Sequence, residues 1–197
     1  PDSELRNNST LDIGTAVSRD GVTWRWPSLD PYISLGGPGS GRSSSLYMFY
    51  GIVQANGRIY QYHHGCDLEH GALRRSGAEG AAGSGAVYRT VQRQDGFASM
   101  DFQADGGELI TRVFTAEGDS LRLNVDAAAG GGKVGVASED GSFLPGRGIE
   151  DCDGIGKDSI DHVVTWHGDP NVTGMSGRAI RLVFKMHRAR LFSIRLR

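Results

Sequence analysis

Along this chain apolar residues recur at alternate positions in short runs, and no strong helical period interrupts them. Residues 13–18 lead into Arg19-Asp20-Gly21, whose Asp-Gly step favours a tight hairpin turn with Asp20 as a turn residue. Val22 to Trp26 alternates as a strand does until Pro27 stops it. After a loop rich in Gly, Pro and Ser, Leu46 to Val53 forms an apolar and aromatic run. Asn56-Gly57 is the strongest hairpin signal in the chain and joins that run to a strand over 58–64. Residues 67–85 are polar, rich in Gly and Ala and without period, and read as a long surface loop. Ala86 to Gln92 supplies one more strand, completing a small antiparallel sheet.

After Asp95-Gly96 the texture changes. Strand-length runs at 97–102, 107–114, 120–125 and 133–138 are parted by Gly and Asp turns. Three more follow at 160–166, 179–186 and 191–196. Leu121, Leu123 and Val125 share one face, as do Val134 and Val136, and Phe192, Ile194 and Leu196. Seven or eight short strands at this spacing describe a β-sandwich. The expected fold class is all-β: a sandwich over 94–197, preceded by antiparallel strands within 1–93.

Composition agrees with this pattern. Glycine accounts for 30 of 197 residues, about twice the usual 7% or so, as many tight turns require. A formal charge of −2 lacks the basic excess of a nucleic-acid binder. No apolar run approaches the roughly 20 residues that span a bilayer as a helix, so neither nucleic acid nor membrane is expected as a partner. Cys66 and Cys152 are too few to staple the chain, and read equally as a pair or as two free thiols. Pro1-Asp2-Ser3-Glu4 has no signal-peptide profile and no Met, which suggests a processed chain or a piece of a longer one. Sequons occur at Asn7, Asn8 and Asn171, a number that chance supplies.

Several segments resemble a known family. Residues 16–24, with Ser18-Arg19-Asp20-Gly21 and Trp24, look like a strand-turn-strand element of five-bladed β-propeller glycosidases. Residues 56–65 are similar to the second hairpin of such a blade, and 94–100 to the junction that leaves the propeller. In the second half, residues 118–125, 148–153, 161–166, 179–184 and 189–193 follow in an order that resembles the C-terminal β-sandwich of bacterial proteins similar to glycoside hydrolase families 32 and 43. The resemblance implies that 1–93 is the last propeller blade with the edge of a neighbour, and that 94–197 is the sandwich buttressing it. The chain would then be the C-terminal fragment of a secreted, periplasmic or cell-surface hydrolase. It would lack that enzyme's central carboxylates, and it would pair with the missing N-terminal blades or with another copy of itself. The other reading is a non-catalytic carbohydrate-binding or structural β-sandwich module.

The candidate chemistry follows from residue types. Glycoside hydrolysis needs two facing carboxyl groups, and the first half offers Asp12, Asp20, Asp30, Asp67 and Glu69. Asp30 precedes a proline and suits a turn, whereas Asp67 and Glu69 flank a loop that reaches a pocket or simply lies in solvent. By the resemblance, Tyr47, Tyr62, His64 and His70 line a sugar-binding mouth, with Glu69 beside them. Packing within the sheet is their alternative role. Arg42 departs from the family pattern in its loop. A zinc site from His63 or His64 with His70 and Cys66 is disfavoured, because adjacent residues on a strand face opposite ways. Asp151 and Asp153 are the calcium candidates, the alternative being an acidic turn that bonds nearby backbone N–H groups; no other cofactor is expected. Trp24 and Trp26 share one face and suit either a sugar platform or burial, while Trp166 suits the core.

Overall fold

A computed structural model describes residues 9–70 and 85–197. The chain is all-β and forms two compact units, Pro1–Gln92 and Arg93–Arg197. In the first, β1 (Val17–Ser18) pairs with β2 (Trp24–Arg25) as a short separate hairpin. β3 (Ser45–Met48), β4 (Val53–Ala55), β5 (Arg58–Cys66) and β6 (Gly85–Arg93) form a second sheet, in which β3, β4 and β6 all pair with β5.

The β1–β2 hairpin is shorter than the alternation over 22–26 suggests, and its connection is not the expected two-residue turn. Ser18 pairs with Trp24, leaving five residues between them. Asp20 keeps an ordinary backbone, and only Gly21 takes positive φ, 72°. The Asp20 carboxylate instead accepts the N–H groups of Val22 (2.8 Å) and Thr23 (2.7 Å), closing the wider turn. Trp24 and Trp26 stay 59% and 64% exposed.

The run over 46–53 is broken rather than continuous. Five steps from Met48 to Val53 face only three from His63 to Tyr60. The two extra residues bulge outward around Gly51 (φ 97°). The Asn56-Gly57 turn forms as expected: Ala55 pairs with Arg58, and both turn residues have positive φ, 52° and 70°. Along β5 burial alternates. Ile59, Gln61 and His63 are buried, while Arg58, Tyr60, Tyr62 and His64 face the other way and retain exposure. Ile33, Leu46 and Ile59 supply the buried apolar side chains of this unit among the described residues. The Tyr32 hydroxyl bridges the side-chain amides of Gln61 and Gln92.

The second unit is the sandwich. Its elements are β7 (Met100–Phe102), β8 (Gly107–Ile110), β9 (Phe114–Thr115), β10 (Leu121–Asp126), β11 (Gly131–Ser138) and β12 (Asp158–Val163). A 3-10 turn (Thr173–Met175) precedes β13 (Ala179–His187) and β14 (Ala189–Leu196). One sheet runs β12-β10-β14-β7 and the other β11-β13-β8, with β9 also on β13. The run over 107–114 thus splits into two strands, and that over 97–102 keeps only its end. The strand pairings of both sheets are antiparallel.

Alternation builds the core. Leu121, Leu123 and Val125 of one sheet join Val134, Val136, Ile180, Leu182 and Phe184 of the other in one buried cluster. Trp166 is fully buried there, and its indole N–H donates to the Val134 carbonyl at 3.0 Å. A bulge lies at Asn124 in β10. The buried Asn124 side chain accepts from Arg93 and donates to the Gln94 carbonyl at 2.6 Å, so the bulge has no orphaned amide. Both cysteines are free, with Cys152 buried and Cys66 half-buried.

Candidate functional site

The sugar-contact candidates Tyr47, Tyr62 and His64 lie on the open face of the β3–β6 sheet. Tyr47 is paired across the strands with His64, so both side chains point to one side. Their rings sit 6.1 Å apart. Tyr62 precedes His64 by two positions on β5 and shares that side, 42% exposed. Gly85, opening β6, makes room for the imidazole: an added Cβ there would stand 2.4 Å from His64 Nε2.

His70 reaches this face because the segment after β5 is tied down. Asp67 Oδ1 accepts the Ser43 N–H (2.8 Å) and hydroxyl (2.6 Å), and Oδ2 accepts the Gly41 N–H at 3.1 Å. The Ser43 bonds hold the Asp67 carboxyl below the usual carboxylate range. The hydroxyls of Ser44 and Ser45 donate to the carbonyls of Asp67 (3.1 Å) and Leu68 (2.8 Å). His70 Nδ1 then lies 2.8 Å from the Tyr47 hydroxyl in a hydrogen bond, with the two rings 6.1 Å apart. Tyr47 is thus flanked by imidazoles on both sides. Glu69 precedes His70 on the same return and is exposed. Asp67 itself is an anchor for the Gly41–Ser43 loop.

Three residues on this face were not singled out from sequence. Tyr60 and Arg58 share the parity of Tyr62 on β5. Arg89 of β6 lays its guanidinium over the Tyr60 ring, 5.6 Å from the centroid. Alternation along β5 was a sufficient signal for the first two. Arg89 needed the pairing of β6 with β5, across a segment whose residues 71–84 lie outside the description.

The opposite face holds His63, 1% exposed and stacked on Tyr88 at 5.5 Å. Its Nδ1 lies 3.4 Å from the Thr90 hydroxyl, and its Nε2 is buried without a partner. Burial, with the nearby Arg42 charge, pushes the His63 pKa down. His63 and His64 therefore belong to opposite sides of the sheet. No group of three or more His, Cys, Asp or Glu able to hold a metal occurs among the described residues.

In the sandwich, the acidic segment is occupied by turn contacts. Asp151 accepts the Gly148 N–H (2.9 Å) and pairs with His167 Nε2 (3.0 Å). Asp153 accepts the Thr165 hydroxyl and the Gly168 N–H (2.8 Å). Backbone and hydroxyl donors lower both carboxyl pKa values, the Gly148 N–H foremost for Asp151 and the Thr165 hydroxyl for Asp153. These carboxylates already have the donors that bend the chain, the arrangement of an acidic turn.

Comparison with protein-family models, with curated proteins and with solved structures gives no match.

Proposed function

We propose that this chain is the C-terminal portion of a glycosidase-like protein working in a secreted, periplasmic or cell-surface setting. Its role is to contact carbohydrate through the open face of the first unit, while the sandwich supplies a stable buttress. One observation carries this reading. Tyr47, Tyr62 and His64 share an exposed sheet face, and His70 is hydrogen-bonded to Tyr47 on it. Exposed aromatic rings offer apolar faces to the C–H side of a sugar, and their hydroxyl and imidazole edges meet its hydroxyls. In this reading, as the family resemblance implies, bond cleavage belongs to carboxylates outside this chain; Asp20 and Asp67 accept backbone N–H groups as turn and loop anchors.

Affinity electrophoresis of the full chain through gels containing soluble polysaccharides tests the reading. Retardation by at least one polysaccharide is expected, and Tyr62→Ala should abolish most of it without changing the unfolding midpoint. A chain that migrates identically in every polysaccharide gel would reject sugar binding.

A second reading has its own support. Val53, Val87 and Val91 are exposed on the sheet carrying the aromatic stripe. An apolar sheet face of this kind also suits burial against another sheet, from missing blades or from a second copy.

A further inference from the structure

The open face has a charge pattern as well as aromatic rings. Residues 31–66 and 85–94, which include every strand of the sheet, contain no Asp or Glu. The charged side chains on the face are Arg58 and Arg89, and among the described residues neither has a carboxylate partner. In the sandwich, by contrast, five of the ten arginines, Arg93, Arg122, Arg147, Arg190 and Arg195, pair with an aspartate. Arg89 sits over the Tyr60 ring, 5.6 Å from its centroid, and a guanidinium that pairs with no carboxylate among the described residues can take a bidentate anionic acceptor.

We propose that this face takes an anionic oligosaccharide, one bearing carboxylate or sulfate groups, in preference to a neutral one. The inference rests on the sugar-binding reading above. Tyr62 and Tyr47 stack on sugar rings, and the anionic group docks at the Arg58–Arg89 end. Sugar hydroxyls meet the imidazoles of His64 and His70 at the other end, beside Tyr47. From Arg58 to His64 the strand extends roughly 20 Å, long enough for several rings in a row.

The test uses the full chain against four soluble probes: polygalacturonate, a sulfated galactan, a neutral glucan and polyglutamate, an anion without sugar rings. Binding is measured calorimetrically at low salt and at roughly 0.15 M, where screening sets in within about 8 Å. One or both anionic polysaccharides should bind more tightly than the neutral glucan and weaken with salt. Arg89→Gln should weaken that binding about tenfold, the worth of one charge-assisted contact, and Arg89→Lys should recover part of the loss. Tyr62→Ala should weaken it while leaving any residual polyglutamate binding unchanged.

Equal affinity for the neutral glucan, unaltered by Arg89→Gln, would overturn the anionic preference and leave sugar binding standing. Polyglutamate binding as tightly as the polysaccharides would overturn it too, since charge alone would then suffice. No binding to any probe would reject both readings, and a dimer in sedimentation would then identify a second copy as the occupant.

Discussion

At the scale of single residues, the two neighbours His63 and His64 show how strand parity divides chemistry. His64 stays at the surface beside Tyr47, whereas His63 is sealed against Tyr88 and Thr90 with one ring nitrogen unpartnered. Arg42 lies over the Tyr88 ring, 5.6 Å from its centroid, so the charge nearest His63 is of the wrong sign for an imidazolium. The folded pKa of His63 thus lies below the unfolded value of about 6.5. Between those two values the unfolded chain binds the extra proton, and stability falls as pH drops. His162 adds in the same direction, its pKa lowered by burial and by Lys157. Urea unfolding followed from about pH 7.5 to 5 should show a falling midpoint, with a shallower fall in His63→Gln. An identical pH profile in His63→Gln and His162→Gln would assign the acid sensitivity to other groups.

At the scale of elements, the β4–β5 hairpin depends on its two-residue turn. Gly57 sits at φ 70°, where a β-branched residue is strained. Gly57→Val should destabilise the first unit by about 1–2 kcal/mol, with faster amide exchange along β4 and β5 as the readout. An unchanged exchange pattern would mean that the strands hold without the turn.

The turn of this hairpin and its strand β5 were legible in the sequence, as were β10, β11 and β13, because burial on one face leaves an alternation that survives in the residue types. What was not legible depended on partners distant in sequence. Nothing local to 46–53 announces the two-residue bulge, since its register is set against β5. The Asp20-Gly21 step promised a tighter turn than it makes, because one carboxylate accepting two N–H groups stabilises a wider loop equally well. In the candidate site, the aromatic and imidazole residues stood out by type. Their assembly was hidden, because His70 meets Tyr47 only through the hydrogen bonds that pin Asp67 and Leu68 to the strand leading out of the Gly41–Ser43 loop.

At the scale of the whole molecule, the two units differ in how they are held. The sandwich encloses a continuous apolar cluster between its sheets, whereas the first unit has, among its described residues, few buried apolar side chains and a polar strip of Gln61, Gln92 and Tyr32. The exposed parts of Phe49, Tyr50, Ile52, Val53, Val87 and Val91 together amount to several hundred Å², on the order of one partner's share of a standard interface. If the second reading holds, sedimentation should give dimers that dissociate on Val87→Asp. A monomer at every concentration, with no binding of a dye for apolar surface, would remove it.

Each unit also carries one free thiol. Cys66 is half-buried and Cys152 is sealed in the sandwich core, where burial pushes its pKa up and its sulfur accepts the Val134 N–H. Neither is spent in a crosslink, so the fold does not depend on a disulfide. The two sulfurs are therefore a pair of built-in clocks. A thiol reagent marks Cys66 on the timescale of the first unit's local openings, and it reaches Cys152 only when the sandwich comes apart.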